Sequence, residues 1–329
     1  MRFKPWVVLS LGVMLAAVGC RKDEGPDALP TDEDAIKSAL TSPNPLDTAA
    51  NFSNSEEYTI DDGGLQDIEY SEGSRFPNNG KVAYPINPLR WGRQVQSVSK
   101  SVSVDRLQGD SLAVATITKI VAGTLHILAR RDSGGVIDTN HYTKAFVDTA
   151  RRKVLFARIR RTVDPRLNWR PIAISLVEGH SPTDNFRIDS VEVMTPRDTV
   201  VVTDPLSTWI RLGFFAGGRR MMLIWPADSV RIRVTITSQD TSQDGSAREF
   251  VVLHWGISRF NGHRHRAPIW FSSQSGGPGS WTRIYERTFY PHPHSGLFNA
   301  VIDALSYKTL ADDGPEYSNK FWGKPYIRL

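Results

Sequence analysis

Cysteine is nearly absent from this 329-residue chain, in which Cys20 is the single example. One cysteine cannot form a disulfide within its own chain, so the fold has to be stabilised by its hydrophobic core. The composition allows this, because 40% of the residues are hydrophobic and 23% are charged, as in ordinary globular proteins. The length predicts two domains.

Motifs that carry catalysis are also missing. The chain has no Gly-x-Ser-x-Gly, its glycine-rich stretches lack the Gly-Lys-Ser/Thr ending of a phosphate-binding loop, and the stretch from Asp132 to His141 lacks the residue order of a calcium loop. The paired carboxylates of Asp312 and Asp313 precede Gly314 and are typical of a turn. We therefore predict a non-enzymatic protein with no cofactor.

A strong excess of charge is absent as well. Forty lysines and arginines face 35 aspartates and glutamates, and the formal charge is only +5. Short basic runs such as Arg151-Arg152-Lys153 are typical of solvated strand edges. This balance does not indicate binding to nucleic acid, which usually requires a strongly basic patch.

The one long hydrophobic run lies at the start of the chain. Arg2 and Lys4 precede a largely apolar segment from Trp6 to Gly19. That segment is shorter than the roughly 17–25 residues of a spanning helix, but it suits the hydrophobic region of an export signal. We expect residues 1–19 to be a signal peptide.

Ala17-Val18-Gly19-Cys20 resembles the lipobox of bacterial lipoproteins, although leucine is commoner than Ala17 at that position. The resemblance implies that the Cys20 thiol receives diacylglycerol and that cleavage leaves Cys20 as the first residue. Two or three acyl chains give durable anchoring. Arg21, rather than aspartate, follows the cysteine, which by the same resemblance favours the outer membrane of the cell envelope.

The remaining chain divides into three predicted segments. Residues 20–50 contain four prolines and a short helical pattern starting at the cap residue Thr31, and we expect a lipidated tether. Residues 51–186 form the next segment, in which long alternating runs of Val, Ile and Thr from Trp91 onward predict bent antiparallel strands. Residues 187–329 contain seven or eight shorter predicted strands separated by turns, among them 230–237, 268–272 and 298–305. They predict an antiparallel β-sandwich of immunoglobulin-like type.

The pattern of residues 51–186 weakly resembles the cone-shaped α+β fold of the nuclear-transport-factor-two-like superfamily, and a curved antiparallel sheet fits the same pattern. By analogy with that fold, a concave sheet there would hold an apolar ligand. The fold class we predict is mainly β with a small α+β part.

Two sets of residues are candidates for binding. The pairs His263/His265 and His292/His294 each place two imidazoles on one strand face, so the alternative function is a periplasmic metal-binding protein or enzyme that uses them. Arg264 and Arg266 disfavour a cation there, and exposed loop histidines are the simpler interpretation.

The tryptophans concentrated after residue 200 either fill the core or contact a partner. We expect a protein, glycan or lipidic ligand at the membrane.

Overall fold

The computed structural model describes residues 30–41, 61–62, 66–67, 86–107, 110–133, 136–212, 221–257, 264–290 and 294–329. The predicted signal peptide and the predicted lipidation residue Cys20 lie outside the described residues.

The described part of the chain contains sixteen strands, two α-helices and two single 3₁₀ turns. The elements are α1 Asp32–Thr41, β1 Gln66–Asp67, β2 Asn87–Leu107, β3 Leu112–Ser133, β4 Val136–Arg158, β5 Trp169–Ser175, β6 Val177–His180, β7 Phe186–Met194, β8 Thr199–Val202, β9 Trp209–Arg211, β10 Met222–Ile224, β11 Val230–Ser238, β12 Phe250–Ile257, β13 Arg264–Gly277, β14 Ser280–Phe289, β15 Gly296–Leu305, α2 Tyr307–Ala311 and β16 Asn319–Arg328.

The strands form one hydrogen-bonded path in the order β1-β2-β3-β4-β6-β16-β15-β12-β13-β14-β11-β7-β8. The path folds over at β13, whose first part pairs with β12 up to Ile269 and whose second part pairs with β14 from Trp270 onward. The register shifts between Phe271 and Ser273, where a bulge bends the strand. The first layer consists of β1, β2, β3, β4, β6, β16, β15, β12 and the start of β13, with β5, β9 and β10 attached to it. The second layer consists of the rest of β13 with β14, β11, β7 and β8.

The main core cluster lies between the two layers because the strands alternate between buried and exposed residues. In β3, for example, Ala113, Ala115 and Ile117 are buried while their neighbours are not. These residues join Val234 and Ile236 of the second layer in one hydrophobic cluster. The chain is therefore mainly β with a curved antiparallel sheet and a sandwich-like core, which confirms the predicted fold class.

The helix α1 forms within the segment predicted to be a tether. The Thr31 hydroxyl accepts a hydrogen bond from the backbone N–H of Asp34 at 3.1 Å, the N-terminal cap that the sequence predicts. The apolar face of the helix does not point to solvent, because Ile36 and Leu40 are each 1% exposed and belong to the main core cluster.

Strand pairing crosses the predicted domain boundary after residue 186. β6, from the first predicted unit, pairs with β16, from the second, at Lys320–Gly323. β4 pairs with β6 on its other side, so the long strands and the shorter ones share the first layer. Neither helix in the described part of the chain has the length and hydropathy needed to cross a lipid bilayer.

Candidate ligand cavity between the layers

An apolar cavity of about 200 Å³ lies between the two layers. Four strands of the first layer, β16, β15, β12 and β13, form one wall, and β7, β8, β11 and β14 form the other, with β10 at one side. For comparison, an engineered cavity of about 150 Å³ in another protein stays dry and binds benzene. The space is therefore large enough for one ring or a short alkyl chain.

The walls are apolar because alternate residues of each strand face inward. Leu253, Ile302 and Trp322 line the first-layer wall at one level, since Leu253 pairs with Ile302 and Ile302 with Trp322. Val193 and Ile232 line the opposite wall and also pair with each other. A ligand between these walls would be removed from water on both sides, and hydrophobic burial would favour its binding.

Aromatic rings surround one end of the cavity. The ring of Trp255 in the first layer lies edge-to-face against Phe289 in the second, with centroids 6.3 Å apart. Tyr290 follows Phe289 and is 81% exposed, so this end reaches solvent. Tyr326 lies on the β16 side and stacks on Phe298. Burial raises the pKa of Tyr326, which keeps its phenol neutral.

The two charged residues of the lining are both cations, Arg287 from the second layer and Lys324 from the first. Arg287 is held in place by a hydrogen bond from its Nη1 to the carbonyl oxygen of Pro268 at 2.9 Å. Its guanidinium carbon also lies 5.1 Å from the ring centre of Phe289. Lys324 directs its ammonium towards β10, where the Nζ atom is 3.9 Å from the sulfur of Met222.

The opposite face of the same first-layer strands carries a buried ionic network. Arg93 of β2 donates two hydrogen bonds to Asp303 of β15, at 2.6 and 3.1 Å, and both side chains are fully buried. His254 Nε2 lies 3.0 Å from Asp303 Oδ2, and its Nδ1 lies 3.7 Å from Asp62. Because His254 is only 1% exposed, an external substrate cannot reach its imidazole. The network therefore joins strands and does not form an open reaction site.

The network continues through Tyr317 to a second buried carboxylate. Arg93 Nε donates to the Tyr317 hydroxyl at 3.0 Å, and that hydroxyl donates to Asp148 Oδ2 at 2.8 Å. Burial raises the pKa of Asp148 to about 6, against the opposing effect of Arg93. For Asp303 burial also raises the pKa, but Arg93 and His254 outweigh it and lower the pKa to about 2. The two carboxylates of one network therefore titrate in different pH ranges.

The four histidines predicted as metal ligands are only partly within the described residues. His263 and His292 lie outside them, while His265 and His294 are exposed. The ring of His265 stacks on Trp255 with centroids 5.4 Å apart, beside the rim of the cavity. Within the described ranges, no group of three or more His, Cys, Asp or Glu side chains is placed to hold a metal ion. The metal site stays a prediction.

The structure brings together another pair of histidines, which the search for His-x-His motifs missed. His126 Nδ1 of β3 lies 3.2 Å from His141 Nε2 of β4, and His126 Nε2 lies 3.2 Å from Gln94 Oε1. The centroids are 5.3 Å apart and the rings are nearly parallel. The two nitrogens are within hydrogen-bonding distance, so this pair links β3 to β4. The register of β3 and β4 is the signal that would have revealed this pair.

The position of the cavity was also not predicted from the sequence, which led us to expect an apolar ligand in the sheet of residues 51–186. The lining begins at Leu176 and ends at Tyr326, so it lies almost entirely in the predicted sandwich. No protein-family model and no curated protein sequence matches the chain, so the cavity's chemistry has to be interpreted from its own residues.

Proposed function

We propose that this protein is a lipid-anchored envelope protein that binds a small apolar ligand in the cavity between its two layers. The observation that carries the proposal is an apolar space of about 200 Å³ with one end open to solvent, in a chain whose sequence offers no catalytic motif. Pockets that bind small molecules are generally concave and mostly apolar, with a few polar groups that set the ligand's orientation. This cavity has that composition.

The anchoring part of the proposal rests on the leader and on Cys20. An acylated Cys20 would hold the cavity near a membrane, where apolar molecules are concentrated. A binding protein in that position would accept or hold molecules that partition between lipid and water.

Binding is tested with 1-octanol and the full chain carrying Cys20→Ser, so that no acyl chain of the protein itself competes. Burial of the alkyl chain at about 0.8 kcal/mol per methylene, less the cost of association, predicts a dissociation constant in the micromolar to millimolar range. Ala300 lines the cavity, and Ala300→Phe adds a ring that fills it. We expect saturation-transfer NMR to detect octanol binding to the Cys20→Ser chain and not to the chain that also carries Ala300→Phe.

Ala145→Phe is the matched control, because Ala145 is exposed on β4 and is not part of the lining. This variant should bind octanol as the parent does. Equal binding by the parent and by the Ala300→Phe variant would contradict the proposal.

Anchoring is tested separately by intact-mass measurement of the protein purified from its native host. A mass that corresponds to a chain beginning at Cys20 with diacylglycerol attached is the expected result. An unmodified thiol, or a retained leader, would contradict the anchor without affecting the cavity.

A further inference from the structure

We propose that the loop between β4 and β5, residues 159–168, binds the surface of an anionic lipid bilayer. Its exposed apolar side chains would enter the head-group region, and its arginines would bind lipid phosphates. The inference concerns a surface outside the cavity and does not depend on the cavity's ligand. It uses the proposed anchor at Cys20 only to explain how the loop comes close to a membrane.

Three large apolar side chains of this loop are exposed to solvent. Ile159 is 52% exposed, Val163 is 79% exposed and Leu167 is 55% exposed. Single exposed apolar residues are common, but several of them in one short loop are typical of a surface that contacts a protein or a membrane.

Hydrogen bonds of Asn168 hold the loop in a closed shape. The backbone N–H of Ile159 donates to the carbonyl oxygen of Asn168 at 2.8 Å and closes the base of the loop. The side chain of Asn168 accepts from the backbone N–H of Thr162 at 2.7 Å and donates to the carbonyl oxygen of Thr162 at 3.0 Å. Asn168 itself is only 5% exposed. The apolar residues are therefore already presented at the surface, which lowers the entropic cost of binding.

The loop is also positively charged. Residues 159–168 include three arginines against one aspartate, a formal charge of +2, and Arg170 follows them in β5. Asp164 pairs with Arg166 at 3.0 Å. The exposed residues Arg160, Arg161 and Arg170 form no ion pair with any other residue in the described part of the chain. Basic groups of this kind are attracted to the negative surface of a bilayer that contains anionic lipids.

The first described helix begins beside this loop. Asp32, the first residue of α1, forms an ion pair with Arg158 at the end of β4, and α1 packs beside the 3₁₀ turn Pro165–Leu167 of the loop. Twelve residues separate Cys20 from Asp32, and a chain of that length spans at most about 40 Å when fully extended. Lipid on Cys20 would therefore keep this loop near the bilayer.

The combination of residues favours a bilayer over a soluble polyanion. Arginines alone would suit either partner. Exposed Val163 and Leu167 gain nothing from a soluble polyanion, whereas at the boundary between head groups and acyl chains they are removed from water.

Binding is tested with residues 20–329 carrying Cys20→Ser, so that neither the leader nor an acyl chain holds the protein to lipid. Every described helix and strand lies within this chain. We expect it to co-sediment with vesicles of phosphatidylcholine and phosphatidylglycerol in equal parts, and to bind pure phosphatidylcholine vesicles about tenfold more weakly. Equal binding to the two kinds of vesicle would overturn the inference and leave the proposed function unchanged.

A fluorophore on the loop shows which surface meets the lipid. The Cys20→Ser chain has no other cysteine, so Val163→Cys gives one thiol for an environment-sensitive label. We expect its emission to shift to the blue when the anionic vesicles are added. The same label on Val201→Cys, at a position that is 47% exposed on β8, should not shift. A label at position 163 that stays in water while the protein is bound would overturn the inference.

Two double variants separate the apolar contribution from the charge. Val163→Ser/Leu167→Ser and Arg160→Gln/Arg161→Gln should each lower the partition coefficient on the anionic vesicles about tenfold. The matched controls Val201→Ser/Leu223→Ser and Arg130→Gln/Arg151→Gln make the same kinds of change at exposed positions outside the loop and should leave it within twofold.

Equal losses in the loop variants and in their controls would overturn the inference, because binding would then follow overall charge or hydrophobicity. Loss in the arginine variant alone would indicate a purely electrostatic contact, as with a soluble polyanion, and would overturn docking on a bilayer. Octanol binding in the cavity and the mass of the native protein are independent of these results.

Discussion

His254 and Trp255 are neighbours in β12 and face opposite sides of the first layer. His254 Nε2 lies 3.0 Å from Asp303 in the buried ionic network, whereas Trp255 lines the cavity and contacts Phe289 across it. The same alternation occurs in β15, where Ile302 lines the cavity and Asp303 accepts the hydrogen bonds of Arg93. One side of these strands therefore lines the cavity while the ionic network on the other side fixes their position.

Arg93 should be essential for stability because it neutralises Asp303 where both side chains are fully buried. Breaking a buried pair by removing one partner usually costs about 3–5 kcal/mol, so Arg93→Met should lower the free energy of unfolding by about that amount. The double variant Arg93→Met/Asp303→Leu should lose less, since the carboxylate that Arg93 pairs with directly is removed together with it. Urea unfolding at neutral pH measures both values.

Arg231→Met provides the control for that experiment. Arg231 pairs with Glu286 at the surface with a side chain that is 49% exposed, and exposed ion pairs contribute about 0–1 kcal/mol. If the double variant were as unstable as Arg93→Met alone, the uncompensated charge would not be the cause of the loss.

Asp148 should make the protein less stable as the pH rises. Its pKa is about 6 in the fold, compared with an ordinary value near 3.8, so between these values the folded state binds the proton more tightly than the unfolded state. The free energy of unfolding contributed by Asp148 therefore falls by about 2–3 kcal/mol between pH 4 and pH 7. Asp148→Asn, which resembles the protonated acid, removes this dependence.

The measurement is the difference in unfolding free energy between the parent and Asp148→Asn at several pH values. Taking the difference cancels the contribution of Asp303, whose lowered pKa stabilises the fold above about pH 4 and whose contribution is lost as the pH falls towards 2. A difference that does not change from pH 4 to pH 7 would contradict the prediction.

Gly179 should not tolerate a side chain, because the ring of Phe321 occupies the space beside it. A Cβ atom at Gly179 would lie 2.0 Å from Cζ of Phe321, which is fully buried and pairs with Gly179 across β6 and β16. Overpacking of this kind costs about 1–3 kcal/mol, so we expect Gly179→Ala to lower the stability by that amount in thermal or urea unfolding.

Gly277→Ala is the matched control, since no atom lies within 4 Å of a Cβ placed there. Replacing the ring with a smaller side chain in the double variant Gly179→Ala/Phe321→Leu should recover part of the lost stability. A Gly179→Ala chain as stable as the parent would show that Phe321 moves aside at no cost.

A stoichiometric metal should be absent from the protein purified from its native host. His265 stacks on Trp255 and is followed by Arg266, whose positive charge disfavours a cation nearby. Elemental analysis for zinc and copper tests this expectation directly. One metal ion per chain that disappears in the variant His265→Phe, which keeps a ring on Trp255, would instead support the alternative function.

Most of the shorter strands could be predicted from local alternation. The sequence predicts strands at 230–237 and 298–305, and the structure has β11 at Val230–Ser238 and β15 at Gly296–Leu305. The prediction of 268–272 was too short for β13, because Ser, Gln and Gly beyond Phe271 lack the apolar alternation that marks a strand. These residues are strand because they pair with β14.

The cavity and the ionic network depend on contacts between residues far apart in sequence, which local patterns do not encode. Arg93 and Asp303 are 210 residues apart, and each was an ordinary charged residue in a strand-like pattern. Likewise, Lys324 lines the cavity only because β16 pairs with β15 and β15 with β12. Predicting the site would have required the register of four strands.

Because β13 belongs to both layers, its backbone fixes their separation along that border. Along the opposite border, the edge strand β8 pairs with β7 alone among the described strands, and its Val202 packs in the core that the two layers share. A continuous backbone allows the distance between the layers to change much less than packed side chains do. Under the proposed function, a ligand wider than the resting space would therefore displace β8 and its partner β7, and the width of that ligand would depend on how firmly this border is packed.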